Sequence, residues 1–311
     1  MNNIIIIPPY LKKGDTVGIT CPAGYLPAER TVFAKRTLEA WGYNVIVGST
    51  VGSGHYYFSD TDERRLFDLQ ALLDNKDVKA ILMGRGGYGL SRIIDKIDFT
   101  QFQLYPKWIC GFSDISVLHS HIQAQFGIVT LHSPMCGAFT QEHEIHPHIL
   151  SLQQIWTGEQ VHYPLHPHEY NRLGKAEGIL VGGNLAILAH LSGSSSQMDT
   201  AGKILFIEDI GEYLYNIDRM LLNLKRAGML KDLKALICGG FTDMKDTDRP
   251  FGQNIYEIIR EKVNEYHYPV CFDFPAGHID VNYTLALGQE HELSISDQEI
   301  TLKLLPISQE A

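Results

Sequence analysis

The sequence predicts an α/β protein. Its N-terminal part should form a mainly parallel sheet flanked by helices, Rossmann/flavodoxin-like, and its C-terminal part a smaller α/β domain with mixed strands. Two observations carry this. Short apolar runs of strand length alternate with amphipathic helical patterns through both halves of the chain. Between the halves, residues 157–174 (TGEQVHYPLHPHEYNRLG) are polar, rich in proline and histidine, and lack periodicity. The domains are therefore read as 1–156 and 175–311, with 157–174 as linker. A chain of 311 residues, 44% hydrophobic and 20% charged, is long enough for two globular cores.

In the first half, residues 15–21 (DTVGITC) are a strand, followed by a helix over 29–41 that Gly42 closes. Residues 43–47 make a second strand, and Ser59 and Asp60 cap a helix through Leu73 that carries Leu66, Leu69 and Leu73 on one face. Residues 79–83 are a third strand running into GRGGYG, residues 84–89. A fourth, at 108–110, leads to Gly-Phe-Ser-Asp and a helix with Ile115, Leu118 and Ile122 on one side, and 128–131 is a fifth.

In the second half, 176–181 is a strand and Gly182-Gly183-Asn184 starts a helix. A strand at 203–207 ends in Glu208-Asp209. A helix begins at 216 or 217 and stops at Gly228. A strand at 235–238, a helix over 254–266 and a strand at 270–272 lead into Pro-Ala-Gly-His. Residues 285–304 alternate as a small antiparallel region.

The formal charge of −10 argues against broad binding to nucleic acid or an anionic membrane. Five dispersed cysteines without a C-x-x-C pair suggest neither a disulfide framework nor a thiolate zinc site. The start, MNNIIIIPPY, has no basic leader and too short an apolar run for a signal peptide or membrane span, so a cytoplasmic location is expected.

In a parallel sheet the ligand crevice lies beyond the carboxyl ends of the strands. GRGGYG, Ser113, Glu208 and His278 all fall there. Ser113 stands at a strand-to-helix turn, where a serine either caps the helix or acts as a nucleophile beside free helix amides. A nucleophilic serine needs a base and an orienting carboxylate. His278, in a glycine-bounded loop, and Glu208, at the end of an apolar strand, can supply them. Glu208 could equally form a structural ion pair with Arg219. The order Ser, acid, His also occurs in α/β-hydrolases, but Ile115 stands where the second glycine of G-x-S-x-G belongs.

GRGGYG matches neither a P-loop nor G-x-G-x-x-G. Its better use is an oxyanion donor from the amide of Gly86 or Gly87, with Arg85 near a substrate carboxylate. His132 is a possible supporting group, whereas His119 and His121 read as helix surface or core. The clusters Glu142, His143, Glu144, His146, His148 and His162, His166, His168 lie in or near irregular chain without H-E-x-x-H, so no metal is expected.

GRGGYG, GFSDIS at 111–116, the double glycine before Asn184, LFIEDIGEYLYNIDRML at 205–221 and PAGHIDVNYTLALG at 275–288 together resemble the LD-carboxypeptidases. These are the muramoyltetrapeptide carboxypeptidases of bacterial cell-wall recycling. The resemblance implies a serine peptidase with Ser113 as nucleophile, His278 as general acid/base and Glu208 orienting it. The amide of Asp114, with that of Gly86 or Gly87, would form the oxyanion hole. It further implies a muropeptide substrate that loses its terminal D-alanine, a site between two domains, a homodimer and no cofactor. One branch of the family cleaves microcin C-type peptide–nucleotides and tends to carry a longer loop with a stacking aromatic. The short interval between Glu208 and the following helix leaves no room for that insertion. Outside the family, the same residues fit a non-catalytic two-lobe binding protein, or a cysteine amidase using Cys110 or Cys238.

Overall fold

The structure is a computed structural model that describes residues 5–140 and 145–306. Glu142, His143 and Glu144, and the first four residues of the isoleucine-rich start, lie outside it.

The first part follows the expected alternation: β1 (Thr16–Thr20), α1 (Val32–Ala40), β2 (Asn44–Val47), α2 (Asp62–Asp74), β3 (Val78–Met83), α3 (Thr100–Leu104), β4 (Trp108–Gly111), α4 (Ser116–Phe126), β5 (Thr130–His132) and α5 (Pro147–Thr157). The second part comprises β6 (Gly174–Asn184), α6 (Leu185–Leu191), β7 (Ile204–Ile210), α7 (Leu214–Arg226), β8 (Ala235–Thr242), α8 (Ile255–Val263) and β9 (Val270–Cys271). The strands β10 (Leu285–Leu287), β11 (Glu290–Ile295) and β12 (Ile300–Leu304) complete it.

Five parallel strands of the first sheet run in the order β5-β4-β3-β1-β2. The order reverses between β1 and β3, so the loops after those strands part and leave a crevice at their carboxyl ends. Apolar side chains alternate along the strands and feed a core on each face. Ile19, Leu82 and Trp108 pack with Leu38 of α1 and Trp156 of α5, whereas Ile81 and Ile109 pack with Leu69 of α2 and Leu118 of α4.

The second sheet, β12-β11-β6-β7-β8-β9, is parallel from β6 to β9, and β11 pairs antiparallel with both β6 and β12. Helices α6, α7 and α8 cover one face through Leu188, Leu221 and Ile259. The other face packs Phe206 and Ile237 against Leu285, Leu293 and Ile300.

Three local expectations change. The tail is not one antiparallel unit: β10 crosses back to pair antiparallel with β5 at the edge of the first sheet, while β11 and β12 extend the second. Thr61, rather than Ser59 or Asp60, caps α2, its hydroxyl accepting from the Arg64 amide. Ser59 instead donates to the Cys21 carbonyl, and Asp60 accepts from Ser53. The histidine-rich stretch before the linker is partly helical, because Pro147 sits at the first helical position, where its missing N–H costs nothing. His148 is buried on that helix, its ring stacked on His146.

Candidate active site

Ser113 follows β4 with φ of 65°, a left-handed conformation that an L-residue adopts only under constraint. The residue before it, Phe112, is fully extended. This abrupt reversal lifts the serine off the end of the sheet. Its side chain caps neither the following 3₁₀ turn nor α4, so Ser113 is not the helix cap.

The turn is pinned from several directions. The Asp114 carboxylate accepts from the Leu90 amide at 2.9 Å, tying the start of the helix to the loop after β3; burial pushes that carboxyl up to about 6. The Asn184 amide donates to Ser116 Oγ at 3.0 Å, which docks the end of β6 on the first turn of α4.

GRGGYG wraps the serine closely. A Cβ built on Gly86 would fall 2.8 Å from Ser113 Cβ and 3.1 Å from its Oγ, so only glycine fits there. The Gly86 carbonyl is turned away, accepting from the Gly24 amide at 2.9 Å. Among the described residues, the amides of Gly86, Gly87 and Asp114 donate to no loop or side-chain acceptor. They are the free donors that an oxyanion would need. The loop is held by buried Arg65, whose guanidinium donates to the carbonyls of Pro22 and Gly89 and pairs with Asp62.

The acid and the imidazole come from the second sheet. Glu208 is on β7 where the register with β8 shifts, between Ile207 and Asp209. Such a bulge re-aims a side chain. The carboxylate is 0% exposed, and Oε2 accepts from both His278 Nδ1, at 2.6 Å, and the His278 amide, at 3.1 Å. Arg219, the other candidate partner, lies instead over the Tyr215 ring. Gly277 has φ of 107°, and a Cβ there would stand 2.7 Å from Glu208, so acid and loop are in van der Waals contact. Asn282 Oδ1 accepts from the Gly277 amide, and Thr242 Oγ1 donates to the His278 carbonyl.

Burial pulls the His278 imidazole down in pKa. The hydrogen bond to Glu208 and the charges of Glu208 and Asp209 outweigh it, and the net shift is upward. Asp209 is itself raised to about 7, by burial first and then by the Glu208 charge.

His278 packs on Phe112, the neighbour of Ser113, with ring centroids 4.7 Å apart. The Glu208-bonded imidazole thus stands against the residue next to Ser113, where the two sheets meet. Among the described residues the hydroxyl–imidazole bond itself is not formed, whereas the imidazole–carboxylate bond is. His132 is buried between Phe112 and Phe206, its pKa lowered by burial. His119 contacts the Gly111 carbonyl at 2.8 Å.

Sequence reasoning missed Phe112, Asn282, Thr242 and Arg65. Phe112, Thr242 and Arg65 act by contacts with residues distant in the chain, so nothing local marks them, and Asn282 acts on Gly277 five residues before it. Among the described residues no group of three or more His, Cys, Asp or Glu could hold a metal ion, and no helix is long and apolar enough to cross a membrane.

A strained serine beside free amides on one α/β lobe, whose neighbour Phe112 packs on the glutamate-bonded histidine of the other, is the arrangement expected of a serine hydrolase working between two lobes. The descriptions LD-carboxypeptidase N-terminal domain and LD-carboxypeptidase C-terminal domain match residues 17–133 and 177–293. The chain belongs to the LD-carboxypeptidase family and is a serine-type carboxypeptidase. It is 33% identical to a probable murein peptide carboxypeptidase of Bacillus subtilis, covering 95% of this chain and 94% of that one. It is 26% identical to the microcin C7 self-immunity protein MccF of Escherichia coli, covering 94% of each. A crystal structure of muramoyltetrapeptide carboxypeptidase from Oxalobacter formigenes superposes with a TM-score of 0.83 at 30% identity, over 94% of this chain and 99% of the other.

Proposed function

We propose that the protein releases the terminal D-alanine from muropeptide tetrapeptides, with Ser113 as nucleophile, His278 as general acid/base and Glu208 as the group that orients it. The observation that carries the reading is the buried Glu208–His278 hydrogen bond, with the imidazole packed on the neighbour of a strained serine from the other lobe.

The chemistry follows from the geometry. His278 Nδ1–H donates to Glu208, which leaves Nε2 as the basic nitrogen. Ser113 Oγ adds to the carbonyl between the diamino acid and D-alanine, and its proton passes to Nε2. The oxyanion is held by the amide of Asp114 and that of Gly86 or Gly87. Collapse breaks the C–N bond, and the imidazolium gives its proton to the departing amine. Water then adds to the acyl-serine by the same route in reverse. The negative charge of Glu208 stabilises the imidazolium that forms twice in this cycle. No step calls for a cofactor.

The murein-peptide relatives support this substrate over a peptidyl-nucleotide, and so does the short connection between β7 and α7, which consists of Gly211, Glu212 and Tyr213. An exposed aromatic pair does stand at its end, Tyr213 stacked at 5.4 Å on Tyr215 in the first turn of α7. The test therefore includes both substrates. A cytoplasmic location, a homodimer and a domain division at 157–174 belong to the same proposal.

Wild type and Ser113→Ala are incubated with a tetrapeptide and with a peptidyl-nucleotide and followed by mass spectrometry. Loss of one alanine from the tetrapeptide by wild type alone is expected, with the variant still binding it. Cleavage of the nucleotide conjugate only, or release of alanine by Ser113→Ala, would overturn the assignment.

A further inference from the structure

A cavity of about 540 Å³ opens beside the nucleophile on the N-terminal lobe. Its apolar wall is formed by Leu26, Phe112, Met135 and Ala138, and two guanidinium groups, of Arg30 and Arg85, line it. Each arginine makes one hydrogen bond to a backbone carbonyl, Arg30 to Gly137 and Arg85 to Tyr25. Among the described residues neither has a carboxylate within ion-pair distance. In a chain of net charge −10, two guanidinium groups at one pocket with no carboxylate partner among the described residues stand out.

Phe112 sets the direction of the pocket. Its ring packs on His278 and also forms part of the pocket wall. In the proposed mechanism the departing amine takes its proton from His278, and a leaving residue that runs from there along Phe112 would enter this cavity. The terminal carboxylate and the side chain of that residue then meet guanidinium and apolar surface respectively. In the sequence Arg85 stands out by its charge alone; in the fold Arg30, from a different loop, faces the same space. The volume is within the roughly 300–1,000 Å³ of pockets that take drug-sized ligands. Alanine's methyl group and carboxylate fill little of it.

The geometry points to a leaving-residue subsite in which Arg30 and Arg85 together hold the terminal carboxylate and the apolar wall accepts D-residues larger than alanine. The inference rests on the peptidase reading above. Charge-assisted hydrogen bonds from two forks favour a carboxylate over an amide, and an open apolar wall penalises no added methylene.

The test uses three tetrapeptides ending in D-alanine, D-leucine and D-alanine amide, with kcat/KM measured for wild type, Arg30→Gln and Arg85→Gln. Wild type is expected to release D-leucine within about tenfold of D-alanine. Each variant should lower the acid-over-amide preference by about 10- to 100-fold, mainly through KM. The two arginines lie on separate loops, so a folding defect in one leaves the other informative. Equal loss on acid and amide in both variants, or D-leucine release more than a hundredfold slower than D-alanine, would place the subsite elsewhere while the peptidase reading stands. Release of no terminal residue from any of the three by wild type would remove that reading, and the subsite with it.

Discussion

Glu208→Gln isolates the charge of the buried carboxylate. The substitution keeps size and shape, and the glutamine carbonyl can take the place of Oε2, accepting from both Nδ1 and the His278 amide. Its NH₂ would then occupy the site of Oε1, which has no partner among the described residues. Orientation of the imidazole is therefore retained, and what disappears is attraction to the imidazolium. Two unit charges about 4 Å apart, at an effective dielectric near 20, attract by about 4 kcal/mol. That corresponds to roughly a thousandfold in rate. A further factor of about ten applies if the amide flips and the wrong tautomer is selected.

The pH profile supplies an independent readout. In wild type the imidazole is raised, so the acidic limb of kcat/KM should lie above the ordinary histidine value of 6.5. The proposed mechanism needs the neutral imidazole as base, so activity should fall as pH drops through that limb. Without the Glu208 charge, burial prevails and the limb should move to lower pH. D-alanine release from a tetrapeptide, measured across pH with a thermal melt to verify folding, checks both effects. A loss smaller than tenfold, or a limb that stays put, would refute the role given to Glu208.

Other substitutions read the remaining parts of the site. Ser113→Gly should abolish turnover yet unfold with a higher free energy than Ser113→Ala. The left-handed backbone costs an L-residue roughly 1–2 kcal/mol and the extra freedom of unfolded glycine returns roughly 0.5–1, leaving about 0.5–1 kcal/mol in chemical denaturation. Gly86→Ala should cut kcat by at least about a hundredfold, because the new Cβ meets Ser113 at 2.8 Å and displaces a free amide. Circular dichroism should remain native. All five cysteines are buried, and burial pushes the Cys21 thiol up to about 12. Iodoacetamide added to the native protein should leave D-alanine release unchanged, and inactivation would revive a thiol nucleophile.

Much of the architecture is legible in the sequence because it is written in local periodicity. The strand-and-helix alternation, the Asn184 cap and the glycine after α1 all depend on residues close in sequence. Thr61 escapes such a reading because three adjacent polar residues could each cap α2, and tertiary partners for Ser59 and Asp60 decide among them. The start of α5 escapes it because a proline that interrupts a helix and one that opens it look alike in sequence. The path of β10 could not be read at all, since an apolar run of three residues pairs equally well with either sheet.

The site divides in the same way. By itself the sequence determined which residues stand at strand ends in glycine-bounded turns, because the period of a strand and the placement of glycine are properties of neighbouring residues. Only the tertiary structure decided that Glu208 meets His278 rather than Arg219, that a bulge in β7 aims it there, and that Arg30 and Arg85 share one cavity. These are contacts across long stretches of chain, fixed by how two sheets pack against each other.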